Sequence, residues 1–264
     1  MHIDLTGRTA LVTGSTSGIG QAIATALARA GAGVVVNGRD ERRTEDAAAA
    51  IGEASGNPGV RAVAADVATE EGADTLFAAA PEVDILVNNT GVYGPAPVFE
   101  IPDSEWRRYF EVNVLSGVRL ARLYVPRMVE RGWGRAIFIS SDSAMMTPTE
   151  MVHYGMTKTA QLAVSRGMAQ SVAGSGVTVN SVLAGPTLTE GVQKFIGELF
   201  GDEVPFEEAE RRFIAEGRPT SLLRRLIRPE EIANLVTYLS SDLASATTGA
   251  ALRADGGVVP TLIP

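Results

Sequence analysis

Residues 153–160 read HYGMTKTA, with Tyr154 four positions before Lys158. In a helix this spacing stacks a phenol and an ammonium on one face, so that a group able to exchange a proton sits beside a positive charge. Of the 23 lysines and arginines only Lys158 and Lys194 are lysines, so the choice of lysine here stands out. Alone the pair decides nothing, because an amphipathic helix also carries tyrosines and solvated lysines one turn apart.

A second stretch, TGSTSGIG at 13–20, supplies different chemistry. Gly14, Gly18 and Gly20 are spaced to turn tightly, to let a pyrophosphate approach the backbone, and to let a helix pack on a sheet. Ser15, Ser17 and Ile19 lie in the same loop. The helix that begins at Gly18 offers unpaired N–H groups and a positive dipole end to phosphates. The stretch lacks the Walker lysine, which disfavours a nucleotide triphosphatase. The second strand ends in Asn37-Gly38-Arg39, with no acid at its tip to accept from the adenosine ribose. Arg39 can instead pair a 2′-phosphate through charge-assisted bonds, and this reading favours NADP(H) over NAD(H). The alternative is a solvated arginine beside Arg42 and Arg43.

The elements that must position these residues alternate strictly. Strand RTALVT (8–13) is followed by helix GIGQAIATALARA (18–30), strand GVVVNG (33–38) and helix DERRTEDAAAAIGEA. Strand VRAVAAD, helix TEEGADTLFAAA and strand VDILVNN come next, then a helical stretch from about 103 to 131 and strand GRAIFIS. The helix opened by Tyr154 runs to about residue 173, before strand VTVNSVL, a late helix with Pro229 in its first turn and a short strand in GAALRADGG. The strands are apolar on both faces, as in a parallel sheet covered by helices on each side. The alternation implies right-handed crossovers and one doubly wound, Rossmann-type α/β domain spanning residues 1–264. Residues 187–228 interrupt the pattern with charges and Phe195, Phe200, Phe206 and Phe213. A segment of that length reads as a substrate lid, with an oligomer contact as the alternative.

Composition narrows the function classes. The 264 residues carry a net charge of −8, which argues against general nucleic-acid binding. The absence of cysteine excludes disulfides, thiolate metal sites and cysteine nucleophiles, and two histidines are too few for a histidine metal site. No apolar run approaches a membrane span and the N-terminal stretch has no signal-peptide pattern, so a cytoplasmic, soluble protein without a metal is expected.

Taken in order, the motifs resemble those of the short-chain dehydrogenase/reductase family, in its compact single-domain form, over essentially the whole chain. TGSTSGIG matches the family's TGxxxGxG loop, and Asp66-Val67 its adenine-contacting pair. NNTG at 88–91, with Asn88 and Gly91, is similar to NNAG but carries Thr90 for alanine. Asn113, Ser141, Tyr154 and Lys158 match the catalytic tetrad, and NSVLAGPTLT (180–189) resembles the N-x-V-x-P-G segment with Ala184 in place of proline. The resemblance implies hydride transfer between a nicotinamide cofactor and a carbonyl/alcohol pair. Tyr154 would be the acid in reduction and the base in oxidation, Ser141 would polarise the substrate oxygen, and Asn113 would hold a water leading from Lys158 to solvent. Lys158 would also bond the nicotinamide ribose, and Gly185, Thr187 and Thr189 would line the cofactor. A phenol ionises near pH 10, so work near neutrality needs about 4 kcal/mol of help. An ammonium about 4 Å away supplies roughly 1 to 4 kcal/mol of it. Ser140 and Ser143 are rivals for the role of Ser141. His153 projects from another side of the helix and reads as structural.

The family implies a homotetramer built through the helices of Asn113 and Tyr154. Two further readings stay open: a 3-oxoacyl-thioester (acyl-carrier-protein) reductase of fatty-acid type, and a non-catalytic nucleotide sensor. Met145, Met146, Met151 and Tyr93 suit an apolar substrate pocket or the core equally.

Overall fold

The computed structural model describes residues 2–201 and 203–262. Short β-branched runs form strands β1 (Thr9–Val12), β2 (Gly33–Gly38), β3 (Val60–Ala64), β4 (Ile85–Asn88), β5 (Gly134–Ser141), β6 (Val177–Ala184) and β7 (Ala251–Ala254). All pair in parallel, in the order β3-β2-β1-β4-β5-β6-β7. The strand order reverses between β1 and β4, and in such sheets the crevice at the carboxyl ends beside that reversal receives ligands.

The helices are α1 (Gly18–Arg29), α2 (Glu41–Ser55), α3 (Glu70–Ala79), α4 (Asp103–Phe110), α5 (Ser116–Glu130), α6 (Val152–Ser171), α7 (Glu190–Phe200), α8 (Phe206–Gly217) and α9 (Pro229–Leu239). Alternation along the strands separates two cores. Ala10, Val12, Val34, Val36, Ile85 and Val87 face one side, where Ile23 and Leu27 of α1, Ile51 of α2 and Ile232 and Val236 of α9 cover them. Leu11, Val35 and Leu86 face the other, under Leu76 of α3 and Leu120, Tyr124 and Met128 of α5. β5 and β6 are buried along their whole length. They are central strands that end beside the ligand crevice.

The helix starts follow local chemistry. The Asp40 carboxylate accepts from Arg43 N to cap α2, and Thr69 Oγ1 accepts from Gly72 N to cap α3. Pro229 opens α9, and the N-cap Arg228 N–H donates to Glu231 Oε2 at 2.8 Å.

The stretch expected as one helix from about 103 to 131 contains a π-helical turn at Glu111–Leu115 between α4 and α5. Such turns insert a residue into the helical ladder and release a backbone carbonyl. The 187–228 segment forms α7 and α8 around a small core of its own, with Ile196, Ala209, Ile214 and Leu226 at its centre.

Candidate active site

The glycine loop leaves β1 and enters α1. Gly14 and Gly18 have φ of 60° and 56°, left-handed values that suit glycine. A Cβ on Gly20 would stand 2.4 Å from Gly14 O, so its bare Cα is what lets α1 close on the loop. Asn89 straps the loop to the end of β4, its Nδ2 donating to Thr13 O at 2.9 Å and to Gly14 O at 3.0 Å. Ser17 stands at the N-cap of α1 with a hydroxyl that makes no capping bond. Ser15, in contrast, is fully buried: its Oγ donates to Val12 O and accepts from Asn37 N, joining β1 to β2. Ile19 is half-buried against the first core.

Around the loop, Arg39 is exposed just past β2 and has no ion-pair partner among the described residues. Asn37 is buried and donates to Val63 O and Ala65 O, so the strand tip is tied down while Arg39 stays free. Asp66 accepts from Ala68 N at 3.1 Å through Oδ1, while Val67 packs into the second core. Asn88 is buried with Nδ2 and Oδ1 both without a partner, a pair of polar atoms that a ligand's groups would satisfy. Gly185 lies so close to Asp255 that a Cβ would stand 2.7 Å from its carbonyl. Thr187 Oγ1 donates to Gly185 O, and Thr189 caps α7 by accepting from Val192 N with its methyl facing Gly18. These groups fit a dinucleotide lying from the α1 N-terminus towards β5. Ser17, Asn88 and the loop amides would hold it.

At the carboxyl end of β5 the structure brings Ser141, Tyr154, Lys158 and Asn113 together. Two bonds pin α6 to β5: Ser140 Oγ donates to Lys158 O at 2.9 Å, and Lys158 Nζ donates to Ile139 O at 2.8 Å. A Cβ at Gly155 would lie 2.5 Å from Thr147, which shows how closely α6 seats on the 142–147 loop. Lys158 is buried, with its ammonium 5.6 Å from the centroid of the Tyr154 ring and its pKa lowered to about 8 by burial. The phenol of Tyr154 is raised above its usual range, first by burial. Ser141 and Arg218 pull it back down, whereas Asp142 and Tyr93 push it further up. The Lys158 ammonium donates to the backbone carbonyl of Ile139 and to Gln161 Oε1, which leaves one of its three N–H groups for another acceptor.

Of the three neighbouring serines, Ser141 faces the phenol. Ser140 is bonded to α6, and Ser143 contributes its backbone N–H to Ser141 Oγ at 3.1 Å.

Asn113 sits in the π turn. Its Nδ2 donates to Val92 O and Thr157 Oγ1, both at 2.9 Å, and its Oδ1 accepts from Val92 N at 2.7 Å. Its carbonyl, free of the α-helical ladder, accepts from Gln161 Nε2 at 2.6 Å, and Gln161 Oε1 accepts from Lys158 Nζ at 3.3 Å. A hydrogen-bonded chain therefore runs from Lys158 through Gln161 to Asn113. Gln161 was not singled out in the sequence; its position one turn after Lys158 was the available signal. Gly91 passes close by, and a Cβ there would lie 3.4 Å from Asn113 Oδ1 and 3.6 Å from Lys158 Nζ.

His153 is buried against Tyr109, with ring centroids 4.0 Å apart, and edge-on to Trp106 at 6.1 Å; burial lowers its pKa. Tyr93, 54 % exposed, meets the Tyr154 ring edge-on at 6.2 Å, so it belongs to the mouth of the site. Met146 is partly exposed, while Met145 lines a separate cleft with Leu162, Ser165 and Ser181. Among the described residues no group of three or more His, Asp or Glu is placed to hold a metal ion, and no helix is long and apolar enough to cross a membrane.

A sequence profile of the family described as Enoyl-(Acyl carrier protein) reductase matches residues 14–259. The chain is 54% identical over 260 residues, 98% of each chain, to the Bacillus subtilis (strain 168) protein called Uncharacterized oxidoreductase YvaG. The chain belongs to the short-chain dehydrogenase/reductase family. Another short-chain dehydrogenase/reductase relative is the D-beta-hydroxybutyrate dehydrogenase of Cupriavidus necator, 34% identical over 97% of this chain and 99% of its own. Among solved structures, L-sorbose reductase from Gluconobacter frateurii, complexed with NADPH and L-sorbose, superposes with a TM-score of 0.93 at 35% identity, covering 99% of this chain and 100% of that one. The sheet order and flanking helices are those of this Rossmann-type family, and as a short-chain dehydrogenase/reductase the chain is an oxidoreductase acting on CH–OH groups.

Proposed function

We propose that the chain is an NADP(H)-dependent oxidoreductase interconverting a carbonyl compound and its alcohol, with Tyr154 as acid in reduction and base in oxidation. The observation that carries this reading is the convergence of Tyr154, Ser141, Lys158 and Asn113 beside a glycine loop whose fit to a dinucleotide is described above. When bound, the cofactor supplies or accepts the hydride. The phenol, kept protonated by burial, donates its proton to the oxygen of a carbonyl being reduced. Ser141 orients that oxygen. Lys158 is the positive charge one turn along α6, and Gln161, held by the Asn113 carbonyl, fixes the position of its ammonium. Tyr154→Phe is expected to leave cofactor affinity nearly intact and to lower turnover by orders of magnitude; retained turnover refutes the assignment.

The preference for NADP(H) rests on Arg39, exposed at the strand tip and without a carboxylate partner among the described residues. A bound NADPH in the sorbose reductase structure is in keeping with it. Comparing KM for the two cofactors in wild type and Arg39→Ala tests it, and an unchanged ratio refutes it. The helices α7 and α8 serve in this reading as a lid over the substrate. We extend the reading to a homotetramer, built through α4, α5 and α6, in which case light scattering returns four times the chain mass and not a monomer.

A second reading, a reductase of 3-oxoacyl thioesters on an acidic carrier protein, draws on the acyl carrier protein named in the matching profile's description and on Arg211, Arg212 and Arg224, all exposed within the 187–228 segment. Comparing a 3-oxoacyl thioester with free hydroxyketones separates the two. A strong preference for the thioester selects the second.

A further inference from the structure

The residue after Ser141 is an acid with no part in the chemistry so far. Asp142 is 4 % exposed. Its Oδ1 accepts from Ser141 Oγ at 2.8 Å and from Ser143 N at 2.9 Å. Its Oδ2 faces the guanidinium of Arg218, with Nε at 3.7 Å, and the Arg218 side chain is itself only 17% exposed. Arg218 stands at the C-terminal cap of α8, so it comes from the 187–228 segment and not from the sheet. Burial pushes the pKa of the Asp142 carboxyl up, and its partners, all donors or a cation, pull it back towards the ionised form.

A serine hydroxyl has one proton to give. Here it goes to Asp142, which leaves the Oγ lone pairs as acceptors, one of them taken by Ser143 N–H. Ser141 can donate to a substrate oxygen only when that proton leaves Asp142, so the carboxylate competes with the substrate for it.

We propose that Asp142, clamped by Arg218, is a positioning residue that fixes the Ser141 hydroxyl beside the Tyr154 phenol and ties the end of α8 to the acid–base site. This rests on the reading of Tyr154 and Ser141 given above. The charged and titratable groups around the phenol are Lys158 on its own helix, Asp142 beyond β5, Tyr93 from the connection after β4, and Arg218 from α8. Asp255, beyond β7, faces Asp142 from behind, but its carboxylate is occupied by Gly257 N and Val259 N. Asp142 and Arg218 thus act on the phenol with opposite signs. An ion pair that holds α8 without reaching the phenol gives no such opposition when its members are removed one at a time.

The test reads the ionisation of Tyr154 itself. The near-ultraviolet tyrosinate band is measured between about pH 6 and pH 11 under saturating NADP+ or NAD+, as the difference between each protein and its own Tyr154→Phe counterpart. Asp142→Asn keeps an acceptor for Ser141 but removes the charge, and its tyrosinate fraction at any given pH is expected to exceed that of wild type, by a midpoint shift of about one pH unit. Arg218→Gln leaves Asp142 unpaired and shifts the midpoint the other way, Arg218→Lys restores it, and Asp142→Asn with Arg218→Gln returns close to wild type. Shifts in the same direction, or equal tyrosinate fractions throughout, overturn the proposal. Should Asp142→Asn fail to fold, Arg218→Gln against Arg218→Lys carries the decision alone, and superimposable curves overturn it. Turnover of the Tyr154→Phe enzyme sinks the catalytic reading instead, whereas loss of turnover with no opposed shifts sinks only the role of Asp142 and Arg218.

Discussion

Lys158 is a cation inside the protein with no carboxylate against it among the described residues, and its burial has a measurable consequence for folding. Its ammonium is held by Ile139 O at 2.8 Å and Gln161 Oε1 at 3.3 Å, and burial lowers its pKa from 10.5 to about 8. The difference corresponds to about 3 kcal/mol, at roughly 1.4 kcal/mol for each pH unit. The sign follows from proton counting. Below about pH 8 both folded and unfolded chains hold the proton, and the full cost of burying the charge is present. Between about pH 8 and 10.5 the unfolded chain keeps a proton that the folded chain has released, so stability rises with pH until the cost is gone. Lys158→Met removes this titration. Urea unfolding of the two cofactor-free proteins, at fixed protein concentration and several pH values, compares them directly. Wild type is expected to gain about 3 kcal/mol on the variant between pH 8 and 10.5, with a constant difference below pH 8. The acceptors left unpaired in the variant add an offset that does not vary with pH, so the slope carries the test. A difference that stays flat across that window refutes the claim that the ammonium is buried and uncompensated.

Other outcomes follow from single contacts. Gly20→Ala drives a Cβ to within 2.4 Å of Gly14 O; it is expected to cost about 1–3 kcal/mol in urea unfolding and to weaken dinucleotide binding by isothermal titration. Gln161→Leu breaks the Lys158–Gln161–Asn113 chain. Turnover is expected to fall about tenfold or more while the KM for cofactor changes little; unchanged turnover removes the positioning of Lys158 by Gln161 from the mechanism.

Much of this protein was legible in the order of its residues because the relevant physics is local. Strand and helix periodicity, the Pro229 start of α9 and the tight turn at Gly14 and Gly18 depend on neighbours within a few positions. The stacking of Tyr154 over Lys158 on one helix face is local too, and together with the order of the other motifs it marked the candidate acid–base centre before any fold was known. Tertiary structure decided what each group has left to offer. Ser15 sits in the cofactor loop, yet its hydroxyl is consumed by the backbones of β1 and β2. Lys158 lies one turn from Tyr154 on α6, yet its ammonium is held by the Ile139 carbonyl of β5.

The helical pattern across 103–131 gave no sign of the π turn that releases the Asn113 carbonyl, because one inserted residue barely alters an apolar stripe. The fold alone brings Arg218 to Asp142, from a segment whose sequence reads only as charged and aromatic. Periodicity and turn chemistry are written into adjacent residues. Hydrogen-bond partners and burial are set by residues that meet only when the sheet has closed, and these decide the working state of every polar group in the site.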